Sequence, residues 1–203
     1  MIFTITKKII FLFLIIITSN VYGNDDNSNR IEILVNENII TKYDIVQRMK
    51  LNSILKRVEI NENNYNQIIN AVTEDLIIEK LKIEKIEEYN ISSDKDEFDD
   101  HEKRFYSSLN YEKNAIEELL SINSINYNYL LELIEVDLKW QKLIYGLYLR
   151  VSSVTEQEIF DLISKNPDIK EENAYDLILQ KQLDLKSIKL INDLKNEATI
   201  EFK

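Results

Sequence analysis

Apolar positions along this chain fall into three patterns, and each predicts a different kind of element. Ile9 to Ile17 is an unbroken apolar run near the N-terminus. Ile31-Glu32-Ile33-Leu34-Val35, followed by Asn36-Glu37-Asn38 and Ile39-Ile40, is β-prone around an Asn-containing turn, because Asn tolerates the left-handed backbone of a tight hairpin. Most of the rest repeats at helical spacing. Thr41 and Asp44 have the spacing of a capping box and open a helix over about 42–54, with Ile45, Met49 and Leu51 or Leu55 inward. Asn63 or Asn64 caps a second, whose stripe of Ile68, Ile69, Val72, Leu76, Ile77, Leu81 and Ile83 runs to Ile86.

Ser93 with Asp96 predicts a third capped helix over about 94–107, strongly acidic, and a fourth covers 112–122 with Ile116, Leu119 and Leu120 inward. The longest candidate is 127–149, striped by Leu130, Leu131, Ile134, Leu138, Tyr145 and Leu149. Gly146 interrupts it at a cost of ~1 kcal/mol relative to Ala, which suggests a second backbone packed closely there. Thr155 with Glu158 opens a helix that Lys165-Asn166-Pro167 ends, and two more are predicted over 171–180 and 183–196. The tail 198–202 alternates like a strand. A strand needs partners for its backbone groups, so this one is expected to return to the strand near 31–35. The expected fold is mainly α: a helical core closed by a small β-sheet made of the N-terminal hairpin and the C-terminal strand.

The apolar run at the N-terminus is about half the length needed to span a membrane. With Lys7 and Lys8 before it and Val21-Tyr22-Gly23 after it, it has the form of a secretory signal peptide, residues 1–23, cleaved between Gly23 and Asn24. Residues 24–30 then form a flexible leader and 31–203 the folded core. A retained anchor at residues 9–22 is the alternative, and it would make the chain a structural or adaptor protein held at an inner membrane.

Composition narrows the chemistry. The 203 residues carry 25 Lys and Arg against 36 Asp and Glu, a formal charge of −11, which opposes binding to a nucleic-acid backbone. There is no Cys, one His, two Gly and one Pro. These counts exclude disulfides, thiolate sites, most His-based designs and any Gly-rich phosphate loop. Ile, Asn and Lys are so abundant that the coding sequence reads as A+T-rich, and single residues of these types are discounted as signals.

No catalytic or metal constellation emerges. His101 sits within Asp99-Asp100-His101-Glu102 on a charged helix and is expected to be solvated. The acids from Asp94 to Asp100 fail as a calcium loop, since the ligand and Gly positions hold Phe98 and Asp99. No Gly-x-Ser-x-Gly elbow exists. More suggestive are the aromatics Tyr127, Tyr129, Trp140, Tyr145 and Tyr148 on one long helix. They span more than one face and are candidates for a groove that grips extended polypeptide, since Tyr and Trp supply large contact area at low entropic cost.

In order, the segments "RIEILVNENIITKYDIVQRMKL", "IINAVTEDLIIEKLKIEKIEEYNISSDKDEFDD", "AIEELLSINSINYNYLLELIEVDLKWQKLIYGLYLRVSSVTEQEIFDLI" and "AYDLILQKQLDLKSIKLINDLKNEATIEFK" resemble the chaperone core of SurA-like periplasmic proteins. The resemblance spans residues 30–203. It implies an ATP-independent holdase in the periplasm whose partners are unfolded outer-membrane polypeptides, with no cofactor. The family's parvulin domains have no counterpart, because only Ser164 to Lys170 separates Ile163 from Glu171. Prolyl isomerase activity is therefore not implied, and no catalytic residue is carried over.

Overall fold

The computed structural model describes residues 29–203. The expected signal segment 1–23, its Gly23–Asn24 junction and the expected leader up to residue 28 lie outside the described residues. The chain begins with β1 (Ile31–Val35) and β2 (Asn38–Thr41), then α1 (Lys42–Lys56), α2 (Tyr65–Glu88), α3 (Lys95–Ser108), α4 (Lys113–Ile122) and α5 (Tyr127–Tyr148). A short 3₁₀ turn at Leu149–Val151 leads to α6 (Glu156–Lys165), α7 (Glu171–Glu197) and β3 (Ile200–Phe202). The protein is mainly α with one small antiparallel sheet, as the pattern predicts.

The sheet has the order β2-β1-β3, so the two ends of the described chain meet in it. Val35 faces Ile200, and Ile33 faces Phe202. Asn36 adopts a positive φ of 52° at the hairpin turn. Its amide donates to the Thr199 carbonyl (2.9 Å) and its side-chain oxygen accepts from the Thr199 amide (3.0 Å). Its side-chain amide donates to Glu84 on α2 at 2.8 Å. One residue thus joins turn, closing strand and helix. Asn90 and Asn110, just past the ends of α2 and α3, also take positive φ. In a chain with two glycines, Arg57 and Ser124 supply the left-handed positions after α1 and α4, and Asn supplies two others that terminate helices. Discounting Asn as compositional noise was an error at these positions.

Three apolar clusters hold the fold. The first joins Ile33, Val35 and Ile40 of the sheet to Met49 of α1 and Val72, Leu76 and Leu81 of α2. The second gathers Leu51, Tyr106, Ile116, Leu120, Leu130 and Ile134 where α1, α3, α4 and α5 meet. The third sets Ile86 against Trp140, Leu143, Ile144 and Leu183, and so fastens α7 to α2 and α5.

Several sequence expectations need correction. The third helix is capped by Asp94 with Glu97, one residue on from the predicted pair, while Ser93 turns its hydroxyl to Glu135. Asn64 does not cap α2 with its side chain. It instead accepts from the Asn61 amide and donates to the Glu59 carbonyl, folding the preceding loop. The stripe on α5 continues through Leu143 and Ile144, leaving Tyr145 and Leu149 exposed. A Cβ at Gly146 would meet nothing within 4 Å, so no second backbone approaches it. The two predicted C-terminal helices are one, because Lys181 and Gln182 continue α7 without a break.

Candidate functional site

α6 begins where the Thr155 hydroxyl accepts from the Glu158 amide (3.2 Å) and the Glu158 carboxylate accepts from the Thr155 amide (2.8 Å). These bonds from the Thr155 amide and hydroxyl hold the Glu158 carboxyl below its usual range. The helix ends at Asn166, and Pro167, which has no N–H to continue the ladder, follows. The chain then reverses into α7. No residue of α6 is buried, and its substantial contact is with α7. The two helices form an arm on the rest of the molecule.

α7 is apolar on two faces. Leu179, Leu183, Leu190, Ile191 and Leu194 pack into the body. Leu177, Ile178 and Leu185 point elsewhere, into a trough shared with Leu162 of α6. A helix that is apolar all round is normally covered all round. Here Leu177 is 52% exposed and Leu185 58%. The trough encloses about 580 Å³, with Glu158, Asp161, Lys165, Lys181 and Gln182 at its margin. Beyond the shared residues Gln182 and Leu185 it continues into a second concavity of about 460 Å³, bordered by Val151, Ser153, Lys186 and Lys189. Gln182 links the two by donating to the Ser153 carbonyl at 3.0 Å and to Glu158 at 3.3 Å.

The five aromatics singled out in the sequence are dispersed along α5. Tyr127 and Tyr106 place their hydroxyls 2.6 Å apart, and each lies within hydrogen-bond distance of Glu102, at 2.9 and 3.0 Å. Tyr129 accepts from Arg48 Nε at 2.8 Å, while Arg48 is also paired with Glu79. Trp140 is only 3% exposed, and its indole N–H donates to Ser187 on α7 at 2.8 Å. Tyr145 is exposed and donates to Gln180 at 3.2 Å, along a flank of α7; Tyr148 is half-buried. These side chains do not converge on one groove.

The acidic helix is less solvated than its composition suggests. His101 is 6% exposed, with Nε2 3.0 Å from Asp137, because α3 packs on α5 along that face. Glu102 is equally buried. Burial opposes its charge, but bonds from Lys113, Tyr127 and Tyr106 win and hold its carboxyl below the usual range. Burial pushes the Tyr106 and Tyr127 hydroxyls up, so both stay protonated donors. This network joins α3, α4 and α5. Among the described residues no group of three or more His, Asp or Glu could hold a metal ion, and no helix is long and apolar enough to cross a membrane.

The trough residues escaped the sequence reading. Their one local signal is the i, i+4 row Leu177, Lys181, Leu185, Lys189, which the predicted break near Gln182 cut in two.

No family model matches the chain, and no curated protein matches it. Among solved structures it is similar to a chain from the work on PEB4 and the periplasmic protein Cj1289, two structurally related SurA-like chaperones of Campylobacter jejuni. The sequence identity is 23%, the TM-score 0.39, and the match covers 69% of this chain. This chain spans about half of that one's length, 51%.

Proposed function

We propose that this protein is an ATP-independent periplasmic holdase that takes unfolded outer-membrane polypeptides into the α6–α7 trough and performs no prolyl isomerisation. The observation that carries the reading is the trough itself: an apolar face of α7, with Leu177 and Leu185 more than half exposed, left without cover among the described residues. Contiguous exposed apolar surface of this kind marks an interaction site, and a net charge of −11 keeps its bearer soluble. Of the five aromatics, Tyr145, exposed beside Gln180, would extend the contact along α7, while Trp140 is buried between α5 and α7. The export-type N-terminus and the order of segments resembling the SurA-like core supply the compartment and the clients.

The test is dilution of an unfolded outer-membrane barrel protein with and without this protein, followed by light scattering without nucleotide. Suppression at a several-fold molar excess is expected, with dissociation constants of about micromolar so that clients are released. Leu177→Ser with Leu185→Ser should weaken it while the circular dichroism spectrum is unchanged. No suppression, or suppression untouched by the double substitution, refutes the reading. A proteolysis-coupled assay on a Pro-containing peptide should show the uncatalysed rate. An intact mass starting at Asn24 checks export and processing.

A further inference from the structure

Lysines held in salt bridges and lysines without one both occur in this protein, and Lys195 near the end of α7 is of the first kind, paired with Glu74. Along α3, α4 and α5, Lys95, Lys103, Lys113, Lys139 and Lys142 each sit in a salt bridge. On the arm, Lys165, Lys181, Lys186 and Lys189 all border the trough or its continuation, and none forms a salt bridge among the described residues. The two acids at the same margin are already engaged. Glu158 accepts from Thr155 and Gln182, and Asp161 accepts from Gln157 at 2.7 Å. An acidic chain thus carries four unpaired ammonium groups around its main apolar concavity.

We infer that the trough selects polypeptide segments in which apolar residues alternate with carboxylates, and this rests on the trough being the client site. The apolar residues of such a segment would meet Leu162, Leu177, Ile178 and Leu185, and its carboxylates would meet the rim lysines. The row from Leu177 to Lys189 runs about 18 Å at ~1.5 Å per residue. That is the length of five or six extended residues at ~3.3 Å each. In an extended segment successive side chains alternate in direction, so one set enters the floor while the other reaches the rim. A bilayer surface fits less well: the apolar floor lies within a concavity that a narrow extended segment can enter and a flat surface cannot. The rest of the protein, acidic overall, repels acidic segments and confines them to this place.

The test uses the purified protein and three labelled twelve-residue peptides that share their apolar positions and carry Glu, Gln or Lys at the alternate ones. Anisotropy should rank them Glu, Gln, Lys. The Glu peptide should bind about 5-fold more tightly than the Gln peptide, the gain expected of a few exposed charge pairs. The preference should fall to within about 2-fold at 1 M salt, where the Debye length is ~3 Å. Replacing the four lysines by Gln should bring the Glu and Gln peptides to equal affinity. Leu177→Ser with Leu185→Ser should weaken both peptides. If the leucine variant weakens both but wild type binds Glu and Gln peptides alike, the trough stands and the selection is refuted. If the leucine variant changes nothing, the trough is not the client site and the inference falls with it. Lysine-dependent binding to phosphatidylglycerol vesicles, without preference among peptides, would identify a membrane contact instead and overturn the proposal.

Discussion

The body around α5 and the arm made by α6 and α7 contain the same kinds of side chain and spend them differently. In the body, polar groups face inward to partners: Arg48 on Glu79 and Tyr129, His101 on Asp137, Glu102 on Lys113 and two tyrosines. Its main apolar residues are covered, and Trp140 and Leu130 are nearly inaccessible. In the arm, the face of α7 that carries Leu177 and Leu185 stays exposed, and the lysines at its margin form no salt bridge among the described residues. Buried polar groups cost stability unless satisfied, so a satisfied network fixes one arrangement of helices. Exposed apolar groups instead give up hydrophobic stabilisation and leave a surface free for a partner. One face of α7 thus belongs to the packed core, and another is left exposed beside α6.

The comparison breaks most visibly in the core. Trp140→Ala removes the side chain between α5 and α7 and should cost ~3–5 kcal/mol. Leu185→Ala on the arm should stay within about 0.5 kcal/mol. Urea unfolding of both variants checks the contrast, and equal losses would mean that the arm is part of the core.

Truncation after Ala198 tests the closure of the body by β3. It removes Ile200 from the first cluster and exposes one edge of β1. A loss of about 2–3 kcal/mol is expected, seen as a melting temperature lower by roughly 5–10 °C. An unchanged melting temperature would show that β3 contributes nothing.

Glu102 sharpens the electrostatic half of the comparison. Glu102→Gln should cost about 1–3 kcal/mol at pH 7, because it removes a charged acceptor shared by three donors. The folded carboxyl titrates below its ordinary value, so its contribution is fully present above about pH 4.3, the ordinary carboxyl value, and is lost as pH falls through the folded value. Wild type and variant should therefore differ at pH 7 and converge as pH falls below the ordinary carboxyl range. A difference that stayed constant with pH would assign the loss to packing.

The smallest effect lies at the junction of the two regions. Gly146→Ala places a Cβ in open space within the last turns of α5. It should raise stability by about 0.5–1 kcal/mol. Destabilisation would show that a neighbour does fill the space beside Gly146.

Elements set by neighbours along the chain were legible from the start. The Thr41–Asp44 and Thr155–Glu158 boxes are local hydrogen-bond patterns, and both form as written. The return of β3 to β1 was also readable, because isolated β-runs in a helical chain have few possible partners. What misled were places where two local solutions nearly tie. Ser93–Asp96 and Asp94–Glu97 both satisfy the capping spacing, and the contact of Ser93 with Glu135 on α5 accompanies the second.

The amino-acid sequence by itself determined the periods, the caps and the class of fold, since these depend on groups within a few residues of one another. Only the tertiary structure decided which face of a helix is covered. His101 and Glu102 went inside because α5 supplied Asp137 and Tyr127, residues distant in sequence. Leu177 and Leu185 stayed outside because the body takes the opposite face of α7, and α6 is too short to close the remaining one. A helical pattern records which positions are apolar. Whether a partner within the same chain covers them depends on three-dimensional packing, and in the α6–α7 trough none of the described residues does.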